Sequence, residues 1–255
     1  MNAAAKEDIV ELCLRLGDDR LVLGHRLSEW VGHAPVLEEE LAIGNLALDL
    51  LGQASDLLAR AAELEAKGRS ADDLAFFRDV TGFRNALLVE QPNGDFAATI
   101  VRQLFFDAWD LHLSASLATS SDEWLARFGE RSGKEATYHW RHSREWTIRL
   151  GDGTDESRRR MEAAVDALFG FASELFEKDS LVARLVEAKV LVDPEALRGA
   201  WRDAVSAVVR EATLAVPAEN PFPPSGGRRG LHGEALGRML SEMQSLARAF
   251  PGASW

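Results

Sequence analysis

The chain has 255 residues, with 29 basic and 41 acidic side chains and a formal net charge of −12. That length allows one large domain or two small ones around a substantial core, and the acidic balance argues against a nucleic-acid backbone or an anionic membrane as its main partner. The single Cys13 excludes an intrachain disulfide or a cysteine metal cluster; with no apolar run of roughly 18 residues and no signal-peptide pattern, the expectation is a soluble, cytoplasmic protein.

Nearly every segment has helical spacing, and no run alternates like a half-buried strand. A first helix is expected over about Lys6 to Val31, bent near Gly17, and a second over about Val36 to Ala66, ending at Lys67-Gly68. At ~1.5 Å per residue the second is about 45 Å long, the length of a bundle strut. A short helical segment over "ADDLAFFRD" and a loop through "LLVEQPNGD" follow. The third long helix runs from about Phe96 to Ala118 and the fourth from about Asp122 to Leu150. "SSDEW" supplies the fourth with an N-cap serine and first-turn acids, and "GDGTD" ends it.

A fifth helix is expected from Thr154 to about Phe176. Another opens at Asp193-Pro194, an aspartate cap with proline in the first turn, and reaches about Leu214. "VPAENPFPPSGGRRG" is the one clear break. A last helix spans about Gly233 to Ala249. These elements imply an all-α chain with four long core helices over about residues 6–150 and additional helices over about 154–249, in a single domain of residues 1–255.

Four long helices in sequence invite a test for a two-metal carboxylate centre. That centre takes a carboxylate from each of two helices and a Glu-x-x-His from each of the other two, all facing inward. The second helix offers Asn45, Asp49, Gly52 or Gln53, and Asp56 at helical steps. The third offers Gln103, Asp107 and Asp110 among Phe105, Phe106 and Trp109. The fourth offers Glu135, Tyr138 or His139, and His142; the first offers His25 and Glu29. The order of helices suits the centre, but its contents do not. The third place after Asp49 is Gly52, and the third place after Glu135 is Tyr138, a poor ligand at neutral pH. His139 lies ~100° around the helix from the required place.

Glu29, Asp49, Asp107, Glu135 and His139 are therefore candidates for a vestigial site, with no catalytic or metal ligand assigned. The expected arrangement is a buried polar network of Asp49, Asp107, Glu135, Tyr138 and His139, with Arg26 and Arg102 as further counterparts, because buried carboxylates need partners. An ordinary solvated face and a working two-metal site with unusual ligands stand as the alternatives.

Other polar stretches carry plainer readings. "SGGRRGLHGE" reads as an exposed connection or partner contact rather than a phosphate loop. "RRRME" reads as a solvated helix face, and "EQPNGD" as a turn at one end of the bundle. Phe76, Phe77, Phe105, Phe106 and Trp109 read mainly as core.

Five stretches carry a resemblance across nearly the whole chain: "LRLGDDRLVLGHRLSEWVGHAP", "NLALDLLGQASD", "LLVEQPNGDFAATIVRQLFFDAW", "KEATYHWRHSREWTIRLGDGTDES" and "GLHGEALGRMLSEMQSLARAFPGASW". Together they resemble the C-subunit family of the bacterial phenylacetyl-CoA epoxidases, also called phenylacetate-CoA oxygenases. The resemblance implies a ferritin-like fold and a structural role in a multicomponent monooxygenase. In that family a paralogous A subunit carries the di-iron centre and the acyl-CoA site, a separate reductase brings electrons from NADPH, and a further small subunit joins the assembly. The implied reaction is epoxidation of the aromatic ring of phenylacetyl-CoA in phenylacetate breakdown. No cofactor is expected in this chain, and no catalytic residue carries over to it. A di-metal carboxylate oxidase with atypical ligands is the rival reading, and a helical interaction protein unrelated to oxygen chemistry is the third.

Overall fold

The computed structural model describes residues 3–218 and 223–253, so residues 219–222 of the proline-rich break lie outside it. The helices in chain order are α1 (Ala3–Ser28), α2 (Leu37–Glu65), α3 (Ala71–Phe76), α4 (Leu87–Glu90), α5 (Phe96–Leu117) and α6 (Glu123–Gly151). They continue with α7 (Asp155–Leu168), α8 (Ser180–Glu187), α9 (Pro194–Glu211), α10 (Glu234–Met243) and α11 (Ser245–Ala249). No strand occurs among the described residues, and no helix there is long and apolar enough to cross a membrane. The fold class is all-α, with the long helices of a ferritin-like protein.

The chain divides into two compact units, residues 1–92 with 225–255 and residues 93–224. In the first, α1 packs along α2 as an antiparallel hairpin. Ile43, Leu46, Leu50, Leu57 and Leu58 of α2 are buried, as are Ile9, Leu12, Leu16, Leu23 and Leu27 of α1. Gly17 lies inside an unbroken helix, where its lack of a side chain admits α2 at close range. A Cβ there would stand 3.0 Å from Leu58 Cδ2, and one at Gly24 would stand 2.9 Å from Leu51 Cγ. The C-terminal segment 225–255 returns to this unit instead of extending the run of helices after residue 154.

In the second unit α5 and α6 form the other long hairpin. A Cβ at Gly129 would lie 2.7 Å from Ser114 O, so the two helices touch backbone to backbone near that point. The cap of α6 is Asp122 rather than a serine. Its carboxylate accepts from Trp124 N and Leu125 N, a shorter reach than either serine has. Thr154 caps α7 as expected, and Asp193 caps α9 with Pro194 in the first turn. The expected fifth helix changes at Leu168 into a 3-10 stretch over Phe169–Phe176. There Phe105, Phe169, Phe176 and Trp201 form an aromatic cluster, anchored by Trp201 Nε1 donating to Phe105 O at 2.8 Å.

Three shorter features depart from the expected elements. α8 is present where no helix was expected, and α4 lies within the expected loop. The last helix breaks at Gln244, whose side chain turns inward to donate to Ala75 O and Arg78 O.

Candidate functional site

The expected stripe divides by helix face. On α2, Asn45 and Gly52 are exposed and Asp49 and Asp56 half-buried. The hairpin presents the leucine face of α2 to α1, which turns the polar stripe outward. Only Gln53 is buried, where its Oε1 accepts from Arg20 Nε at 2.6 Å. Glu29 is exposed, just past the end of α1, and pairs with Arg26 at 2.8 Å. Burial holds the His25 imidazole below its ordinary range.

On α5 and α6 the stripe is interior, in part. Gln103, Asp107 and Asp110 are each 1% exposed, and so is His139. Glu135 is half-buried and Tyr138 is 43% exposed, so the network expected from Asp49, Asp107, Glu135, Tyr138 and His139 is buried only at Asp107 and His139. The reason is angular: Tyr138 sits one residue before His139, and a helix that turns His139 inward turns its neighbour toward solvent. Tyr138 stacks instead with the Arg141 guanidinium on the outer face.

Asp107 is a buried carboxyl of this set. Burial pushes its carboxyl up to about 7, against the opposing pull of His139 and the Ser143 hydroxyl, while Asp110 adds to the rise. Gln103 Nε2 donates to Asp107 Oδ1 at 3.0 Å. Gly52 offers no donor, Tyr138 is 43% exposed, and among the described residues no group of three or more His, Cys, Asp or Glu is placed to hold a metal ion.

A second polar cluster, in the first unit, escaped the reading by metal spacing. Residues 16–24 of α1 are buried without interruption, and Asp18, Asp19 and Arg20 are 0% exposed. Asp18 takes a two-pronged pair from Arg78 and accepts from Arg84 N at 2.8 Å. Asp19 takes one from Arg228, at 3.0 and 2.8 Å, and accepts from Ala86 N at 2.7 Å. Burial pushes the Asp19 carboxyl up, opposed chiefly by Arg228. Arg228 also donates to Arg84 O and Arg15 O, so "SGGRRGLHGE" is anchored inward at Arg228, while Ser225, Arg229, Leu231, Gly233 and Glu234 are exposed as expected of a connection. Close packing explains its glycine: a Cβ on Gly227 would stand 2.1 Å from Asn85 O.

Glu90, expected in a turn at one end of the bundle, is 1% exposed. Its Oε1 accepts from Gly233 N at 2.7 Å, and its Oε2 from Asn85 Nδ2 at 3.0 Å and from His232 Nδ1 at 2.7 Å. His232 Nε2 lies 3.1 Å from Phe83 O, so both ring nitrogens face acceptors. Arg26 ties α1 into the same corner through Glu90 O and Ala235 O. "DDR" inside a leucine-rich helix was the available signal, because three consecutive charged residues cannot all avoid a core that surrounds the helix.

A family model described as "Phenylacetic acid catabolic protein" matches residues 1–255. The chain is 52% identical over 242 residues to the C subunit of the 1,2-phenylacetyl-CoA epoxidase of Escherichia coli (strain K12), covering 95% of this chain and 97% of that protein. With a match along its whole length and identity at that level, the chain belongs to the phenylacetic acid catabolic protein family.

Proposed function

We propose that this chain is the noncatalytic, structural C-type subunit of a multicomponent monooxygenase that epoxidises the aromatic ring of phenylacetyl-CoA. It pairs with and stabilises an A subunit that carries the di-iron centre, while a separate reductase brings electrons from NADPH. The observation that carries this reading is the 52% identity to the C subunit of an epoxidase over almost the full length of both chains. The geometry supports it from another side. The places that would need imidazole ligands hold Gly52 and Tyr138, and the buried charges of the first unit are matched by arginine, histidine and amide partners that hold the fold together.

Mixing the purified chain with the A subunit tests the proposal by size exclusion, followed by NADPH consumption and product analysis with the reductase. The chain alone is expected to be folded and inactive, and to bind less than roughly a tenth of an iron per chain, because scattered carboxylates hold a redox iron pair poorly. Oxygenation appears when the A subunit is added. Stoichiometric iron with a di-iron spectrum in this chain alone, or separate elution of the two chains, would contradict the reading.

A further inference from the structure

One face of α2 carries large apolar side chains that are exposed. Leu37, Leu41, Gly44, Leu48, Gly52 and Ala59 follow one another at three- and four-residue steps or their sums, and so share that face. The three leucines are 67%, 61% and 67% exposed. From Leu37 to Ala59 the stripe runs about 33 Å. Its glycines differ from those of α1. Gly17 and Gly24 admit α2 at close range, whereas a Cβ on Gly44 or Gly52 meets nothing within 4 Å. Glycine inside a helix weakens it, and nothing packed within the chain offsets that loss at these two positions. A stripe of leucines with two notches suits the ridge of another helix.

Charge selects the kind of helix. Glu38, Asp49 and Asp56 lie along one border of the stripe, and Arg60 is the only basic side chain in α2. A second copy packed α2 against α2 would bring carboxylates to carboxylates, in a chain already at −12. We infer that this face of α2 seats a helix of a different polypeptide, one with a narrow apolar ridge bordered by arginine or lysine. Resting on the function proposed above, that polypeptide is the A subunit. The leucines form the dry centre of the interface, the glycines let the two backbones approach, and the acidic border sets the orientation.

The test measures affinity for the purified A subunit by titration, alongside the melting temperature of each free chain. Gly44→Leu with Gly52→Leu fills the notches, and Leu48→Arg disrupts the centre without touching the core. Each is expected to leave the free chain folded, with the melting temperature unchanged or raised, and to weaken the complex at least tenfold. Reversing Glu38, Asp49 and Asp56 to lysine is expected to slow association and to reverse its salt dependence. If wild type binds the A subunit and all these variants bind equally well, the inference is wrong while the proposed function survives. If wild type does not bind, both fail. A self-association of the free chain that Leu48→Arg abolishes would assign the face to a second copy and overturn the choice of occupant.

Discussion

Removing the Arg228 guanidinium tests the buried lock of the first unit most directly. Asp19 is 0% exposed and receives two of its hydrogen bonds from Arg228, at 3.0 and 2.8 Å. Arg228→Met keeps much of the side chain's apolar length and leaves Asp19 with the Ala86 amide as its remaining close donor. An uncompensated buried charge of this kind costs about 3–5 kcal/mol. For a chain of this size that corresponds to a fall of roughly 6–20 °C in melting temperature. Adding Asp19→Asn removes the stranded charge and retains an oxygen for the Ala86 amide. The double variant is therefore expected to recover much of the loss, with a coupling of about 2 kcal/mol or more. Thermal melts by circular dichroism on the four members of the cycle give both quantities. A single-variant loss under about 1 kcal/mol, or additive effects of the two substitutions, would refute the view that this pair closes the unit.

Two further outcomes follow from the geometry. Asp107 is raised from 3.8 to about 7, so the folded chain binds this proton more tightly than the unfolded one. The stability contributed is complete below about pH 4 and is lost as pH rises through about 7, on the order of 4 kcal/mol over the full span. Asp107→Asn should therefore gain stability relative to wild type as pH rises from 5 to 8 in denaturant titrations; a difference independent of pH would show that Asp107 titrates normally. On the α1–α2 hairpin, Gly24→Ala drives a methyl to within 2.9 Å of Leu51 Cγ and 3.2 Å of Ala47 O and should cost about 1–2 kcal/mol net of helix propensity. Gly52→Ala, in open space, should stabilise by up to about 1 kcal/mol, and equal signs in melting experiments would undercut the packing argument.

The long helices were legible because their apolar residues recur at helical steps and their caps are local. α1, α2, α5 and α6 begin and end within a few residues of their expected bounds. α8 and α4 were not legible: eight and four residues are too short for periodicity to separate a helix from a loop. The break at Gln244 depends on acceptors at Ala75 and Arg78, far away in sequence. The polar stripe failed for a different reason. Helical phase tells which residues share a face, but not which face the neighbouring helix will cover. Asp107 and His139 are buried, while Gly52 and Tyr138 are exposed and Asp49 is half-buried.

Three of the five stretches that carry the resemblance become intelligible on this structure as parts of one buried cluster. "LGDDR" supplies Asp18 and Asp19, "LLVEQPNGDFA" supplies Glu90, and "GLHGEALGRMLSEMQ" supplies His232, the Gly233 amide and Gln244. Each partner in these pairs lies about 60 or more residues from the other, and Asp18, Asp19, Glu90 and Gln244 are buried. An isolated buried carboxylate is costly, so no member of this set is easily replaced without a matching change elsewhere. Such a cluster records a way of closing a fold more than a way of doing chemistry. It fixes the C-terminal segment against α1 and thereby holds the α1–α2 hairpin. The exposed apolar face of α2 then belongs to an element anchored from behind by buried ion pairs, and a surface fixed in that way loses little conformational freedom when a partner settles on it.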